Sequence, residues 1–240
     1  MTLFDWEAPG PYRVAFSTRV GGVSEGAFAS LNLGVYTDDD PECVHENRRR
    51  LCAEVGVDPE TTTMAWQFHS ADVVKADGSG IVTPGLEFER CDGLWTDERG
   101  RGVMLLTADC LPIAITRTNG SPAVAVLHAG WRGLLGGIVE SGAAALGRGE
   151  LAAAVGPGIG PCCYEVGDEV ATPFGERFGD EVVVGRNLDL AEAAERALRA
   201  AGCATVERVG LCTSCEERLF FSHRRDRGRT GRQGIVAALL

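Results

Sequence analysis

Apolar positions fall into two patterns along the chain, short runs with β-branched residues and longer stretches with helical spacing, and the two alternate throughout. YRVAFST (12–18) reads as an opening strand that ends before Gly21-Gly22. PECVHENRRRLCAEVG (41–56) reads as a helix, with Pro41 suited to its first turn and Gly56 to its stop. TTTMAWQFH (61–69) and DVVKA (72–76) are β-rich. VMLL and PIAIT predict two strands separated by the polar break Thr107-Ala108-Asp109-Cys110. PAVAVLHAG (122–130) has the look of a buried strand, followed by a helix over LLGGIVESGAAALG (134–147). LAAAVGPGIG is a strand closed by a glycine-rich turn. VGDEVATPFGERFG and LDLAEAAERALRAAG predict helices, and TVERVGL and GIVAALL the last strands. With strands and helices interleaved and no linker, repeat or low-complexity tract, the pattern predicts a mixed α/β (α+β) domain over 1–240, its β-sheets flanked by helices.

Charge narrows the partners. A formal net charge of −11 argues against general binding to nucleic acid or an anionic membrane, while leaving room for a local basic pocket. The opening MTLFDWEAPGPYR is not a secretory signal, and no apolar run approaches the roughly 20 residues needed to span a bilayer. Nine cysteines is an odd count, which fits thiols or metal ligands better than a disulfide framework. The expected compartment is the cytoplasm.

Histidine is scarce: His45, His69, His128 and His223 are the whole set. His69 and His128 end strong strand patterns, and Cys110 occupies the break between two more. Two imidazoles and a thiolate at strand ends are what a catalytic zinc site requires, with a fourth position left for water or substrate. Their intervals match no zinc-finger pattern. On spacing alone they suit buried polar residues with backbone partners better than a metal site, and a Cys110 nucleophile with His128 as its base is a further reading. Cys212-Thr-Ser-Cys215 lacks a second CxxC to complete a structural zinc site, and adjacent residues such as Cys162-Cys163 rarely ligate together. Both groups are therefore read as structural thiols, and Cys212→Ser is expected to leave zinc content intact. SHRRDRGRTGR (222–232) is the one basic cluster. With Arg224 and Arg225 from it, Arg19 in FSTRVGG and Arg132 in AGWRG are candidates for binding phosphate. GPGIG (156–160) offers backbone amides without a full dinucleotide or Walker pattern.

FSTRVGGVS, ASLNLG, HENRRRL, WQFHSADVV, CDGLWT, TADCLPI, VLHAGWRG, VGPGIGPCCYEVGDEV, LCTSC and FFSHRRD with TGR occur in this order. Together they resemble the multicopper polyphenol oxidase (laccase-domain) family, also called YfiH-like or purine nucleoside phosphorylase-type proteins, from about residue 13 to 232. The resemblance implies a fold similar, at its Cys–His site, to the cytotoxic necrotizing factor catalytic domain. It also implies metal ligands at His69, Cys110 and His128. Ser70 departs from the glycine usual after the histidine.

The implied activities are phosphorolysis of adenosine, inosine or methylthioadenosine, with purine nucleoside and phosphate as partners, and deamination of adenosine. Zinc is the implied cofactor, and a three-ligand zinc suits deamination, with Asp109 as proton shuttle or as turn cap. Copper can enter the same site, but four histidines are too few for multicopper laccase chemistry. Two rivals stay open. One is an amidase that edits a cytoplasmic nucleotide-sugar cell-wall precursor. The other is a non-catalytic metal protein, which needs a fourth ligand such as Cys91 or His223.

Overall fold

Two six-stranded mixed sheets carry the architecture. In the computed structural model, which describes every residue except Pro84 and Leu86, the first sheet runs Leu3–Trp6, Tyr12–Ser17, Gln233–Leu239, Gly102–Thr107, Thr63–Trp66, Glu89–Arg90. The second runs Cys203–Arg208, Leu151–Val155, Leu111–Arg117, Val124–Ala129, Gly93–Thr96, Val73–Lys75. A two-stranded ribbon joins Val183–Val184 to Asn187–Leu188.

Alternation along the strands explains how these layers stack. On the first sheet Val103 and Leu105 face inward and pack with Ala114, Val124 and Val126 of the second. Met104, one residue out of phase, faces the other way and packs on Leu51 and Val55 of the helix Pro41–Val55. On the second sheet Ile113, Ile115 and Leu127 turn outward onto Ile138, Phe174 and Leu198 of the helices Ile138–Leu146, Asp168–Phe178 and Leu190–Ala200. Helix, sheet, sheet and helices thus form four layers. Both faces of the central strands are buried, which is why they read as continuous apolar runs.

The predicted mixed fold is the observed one, with local differences. Leu3–Trp6 forms an edge strand that its short, acidic context concealed. The helix expected over 134–147 is two helices, Trp131–Gly136 and Ile138–Leu146, parted by Gly137 in the left-handed region (φ 91°). The helix Pro41–Val55 matches the expectation, capped by Asp40, whose carboxylate accepts from the Glu42 amide, and stopped by left-handed Gly56. Among the described residues no helix is long and apolar enough to cross a membrane.

The topology builds a site at one end. Thr63–Trp66, Glu89–Arg90 and Gly102–Thr107 are parallel in the first sheet. Each is followed by a short connection into the second sheet, entering it at Val73–Lys75, Gly93–Thr96 and Leu111–Arg117. These three strands also run in one direction, as their pairings show. The three crossings therefore leave the carboxyl ends of parallel strands together, where open α/β sheets characteristically place ligands. The polar break at 107–110 is one of them: the apolar pattern stops because the chain is changing sheets.

Candidate active site

Each crossing delivers polar residues to the site. The 67–72 connection carries His69, the 91–92 connection carries Asp92, and the 108–110 connection carries Asp109 and Cys110. His128 comes from inside the strand Val124–Ala129, paired with Pro112, rather than from the loop after it. Cys110 Sγ lies 3.8 Å from His69 Nε2, and the His69 and His128 rings meet edge-on with centroids 4.9 Å apart. The candidate ligand atoms of His69, Cys110 and His128 all lie within 4.8 Å of one another. The structure thus brings the predicted trio together. Neither Cys91, buried in the core between the sheets, nor His223 joins it as a fourth member.

Asp92 organises the group. It is fully buried, and its Oδ1 accepts from the His69 amide (2.9 Å) and from His128 Nδ1 (2.7 Å). Its Oδ2 accepts from the amides of Phe68 (3.1 Å) and Ser70 (2.7 Å). Burial alone would raise its pKa. The His128 hydrogen bond and the loop amides outweigh it and hold the carboxyl at about 2. This carboxylate wraps the 68–70 turn and supports His69 at φ 66°, an uncommon conformation for a residue with a side chain. It also fixes the His128 tautomer, so that Nε2 is the nitrogen free to face Cys110.

Desolvation raises the Cys110 pKa, but the two imidazoles prevail and bring it down. His128 shifts the opposite way: against desolvation, Cys110 and Asp92 hold its proton. The donor set therefore fits a metal ion. It offers a thiol already biased toward thiolate, two imidazoles, and a carboxylate behind one of them, the usual support for a metal-bound histidine. Gly130 leaves room for the trio, since a Cβ there would sit 2.9 Å from Cys110 Sγ and 3.1 Å from His69 Cδ2.

A pocket of about 590 Å³ opens over these residues. Arg48, Arg132, Arg224 and Arg232 line it, and among the described residues no carboxylate lies within 4.0 Å of any of their guanidinium groups. Arg48 is buried and donates to the carbonyls of Leu33 (2.9 Å) and Ile81 (2.6 Å), and burial lowers its pKa to about 10. Arg224 lies over the Tyr164 ring and donates to the Glu165 carbonyl. The same pocket is lined by Tyr36 and Trp66, large aromatics left 66% and 44% exposed with ring centroids 4.5 Å apart.

Two of the four arginines proposed for phosphate sit outside this pocket. Arg19 bonds the Ala29 and Glu217 carbonyls and lies over the Phe221 ring, beside a separate shallow groove. Arg225 makes a two-pronged bond to Asp226 and also holds the Thr213 and Phe220 carbonyls, so its fork is spent on the fold. Asp109, at φ 90°, lines the pocket. Its Oδ1 accepts from Thr213 Oγ1 (2.6 Å) and its Oδ2 from the Arg224 amide (2.7 Å), so the carboxylate ties together segments remote in sequence. The glycine-rich turn has a related task, since the Ile159 amide donates to the Asp109 carbonyl.

The sequence reading passed over Asp92, Arg48, Arg232 and Gly130. Arg48 did carry a signal, being a charge on the apolar stripe Val44–Leu51–Val55 of its helix. Asp92 carried little, because its partners come from segments remote in sequence. The cysteines need a larger correction. Cys162, Cys163, Cys212 and Cys215 converge, all four sulfurs lying within 4.8 Å of one another. The adjacent pair thus stands where the absent second CxxC would.

A family model described as multi-copper polyphenol oxidoreductase laccase matches residues 13–240. A Pseudomonas aeruginosa protein named purine nucleoside phosphorylase is 39% identical, aligned over 95% of this chain and 93% of its own. Escherichia coli purine nucleoside phosphorylase YfiH is 34% identical, over 98% and 97%. The crystal structure of YlmD from Geobacillus stearothermophilus superposes with a TM-score of 0.90 at 35% identity, covering 100% of this chain and 96% of that one.

Proposed function

The chain belongs to the multi-copper polyphenol oxidoreductase laccase family, and on that footing we propose that it is a zinc-dependent purine nucleoside phosphorylase. Supporting this, relatives at 39% and 34% identity bear that name. The observation that carries the reading is the pocket itself. In about 590 Å³ it combines guanidinium groups without carboxylate partners, exposed aromatic faces, and the His69–Cys110–His128 cluster.

Phosphorolysis needs these groups together. Tyr36 and Trp66 offer flat apolar faces on which a purine stacks. Arg132, Arg224 and Arg232 supply charge for phosphate, and Arg48 adds a buried positive charge to the wall. A phosphate oxygen attacks C1′ of the nucleoside, and the C1′–N9 bond breaks with its electron pair passing to the base. The sugar becomes cation-like on the way, and the bound phosphate opposite it stabilises that charge. Asp109 holds the Thr213 and Arg224 segments in register with Cys110, which makes it a positioning residue. Adenosine, inosine and methylthioadenosine are the substrates this reading covers.

His69, Cys110 and His128 would hold the zinc, which would supply Lewis acidity when bound. That donor set supports a second reading, deamination of adenosine in the same pocket. Polyphenol oxidation draws no support from a cluster with two histidines, although copper can bind it.

The test is product analysis by chromatography after incubating the protein with adenosine, with and without phosphate, beside Cys110→Ala. Free adenine that requires phosphate and is absent with the variant is the expected result. Inosine formed without phosphate establishes the deaminase. Turnover of neither kind overturns both readings and sends the search to the cell-wall precursor amide.

A further inference from the structure

Four of the eight cysteines that the active site leaves unused make up a second cluster with its own geometry. Cys162 and Cys163 lie in a turn closed by the Cys163 and Tyr164 amides on the Gly160 carbonyl, and Cys212 and Cys215 bracket another turn in the segment after the strand Cys203–Arg208. The two segments meet through a bridge between Gly158 and Cys212 and through the Thr213 amide, which donates to the Gly158 carbonyl at 3.0 Å. Cys215 Sγ then lies 3.5 Å from Cys162 Sγ and 3.4 Å from Cys163 Sγ, and all four sulfurs fall within 4.8 Å of one another. In a tetrahedral zinc–thiolate site, zinc–sulfur bonds of about 2.3 Å put the sulfurs about 3.8 Å apart. The two shortest separations fall a little under that edge, the others stay within 4.8 Å, and all are far beyond a sulfur–sulfur bond of about 2.05 Å.

A second observation is independent of the spacing. The Gly160 amide donates to Cys212 Sγ at 3.2 Å. A backbone amide aimed at a cysteine sulfur suits a thiolate acceptor and is typical support for a metal-bound sulfur. Location is the third. Cys52, Cys91 and Cys203 are buried in apolar surroundings as ordinary small core residues, whereas Cys162 and Cys215 are exposed and the cluster is open to an ion from solvent.

We propose that Cys162, Cys163, Cys212 and Cys215 form a second metal site, a structural one for a zinc-class divalent cation, separate from the His69–Cys110–His128 site. On binding, four thiols lose their protons to solvent and four metal–sulfur bonds form, with no change of oxidation state. The ion clips together two loops that both serve the pocket. One carries Tyr164 on the pocket wall, and the other carries Thr213, whose hydroxyl donates to Asp109. Its role is to hold the Asp109–Cys110 turn from behind.

The experiment counts metal in full-length protein purified under reducing conditions. Wild type and Cys162→Ser/Cys215→Ser are compared by elemental analysis, and so are His69→Ala and the triple variant that combines all three changes. Within each pair, the two serines are expected to remove about one zinc per chain. Cobalt loading of His69→Ala is the second readout, with sulfur-to-cobalt charge-transfer bands expected from an all-thiolate tetrahedral site. Equal zinc within both pairs, absence of those bands in folded His69→Ala, or disulfides that persist in place of metal uptake after reduction would each overturn the proposal. None of these readings depends on what reaction the pocket catalyses.

Discussion

Asp92→Asn is the substitution that most directly tests the construction of the active site. The two carboxylate oxygens share four donors at 2.7–3.1 Å, namely the amides of Phe68, His69 and Ser70 and the ring nitrogen of His128. Asparagine keeps the volume and one oxygen but replaces the other with an NH2 group. Turned toward Phe68 and Ser70, the NH2 leaves both amides without an acceptor; turned the other way, it strands the His69 amide and forces His128 Nδ1 to accept. Each lost hydrogen bond to a charged group is worth about 1.5–3 kcal/mol. The metal-free protein should therefore lose on the order of 3–5 kcal/mol, the usual cost of stripping one member from a buried charged network. Urea unfolding in the presence of a strong chelator measures this without any contribution from bound metal. Zinc affinity of the folded variant, measured by competition with a chromophoric chelator, should fall about 10–100-fold, because the His128 ring loses its support and the 68–70 turn its shape. A variant within about 1 kcal/mol of wild type, with unchanged zinc affinity, refutes the assignment. Loss of stability with affinity intact would reduce Asp92 to a purely structural part.

Gly130→Ala should weaken zinc binding by about tenfold or more with little loss of fold stability, because the backbone there is ordinary (φ −83°) while the new methyl group meets Cys110 Sγ at 2.9 Å. Competition titration beside thermal unfolding separates the two effects. A variant that binds zinc like wild type would show that the trio shifts freely. Asp226→Asn should cost about 1–2 kcal/mol at neutral pH by removing the two-pronged bond from Arg225. Burial raises the Asp226 pKa, but Arg225 and Thr230 outweigh it and leave the carboxyl below its ordinary value. The contribution is therefore complete above the unfolded pKa of about 4 and is lost as pH falls through the lower folded value. Wild-type and variant stabilities should converge in acid, and a gap that persists at the lowest measurable pH would contradict this account.

Much of the molecule is determined locally and can be read without coordinates. The helix Pro41–Val55 carries its own start and stop in Asp40, Pro41 and Gly56, and the central strands are apolar throughout because both of their faces are covered. His69, Cys110 and His128 stand out because histidine is scarce and these residues interrupt or end apolar runs. The limits of the local pattern have equally definite causes. Arg225 has a carboxylate beside it in sequence at Asp226, but Arg19 has the same local chemistry as Arg132, and only the packing of the Ala29 and Glu217 carbonyls decides that its guanidinium is used up. Asp92 gains its importance from four donors 22 to 36 residues away, brought to it by the 67–72 crossing and the strand Val124–Ala129. The adjacent pair Cys162–Cys163 and the CxxC at 212–215 are each incomplete in sequence. Loop closure across some 50 residues makes them one cluster, and that proximity is a property of the tertiary fold alone.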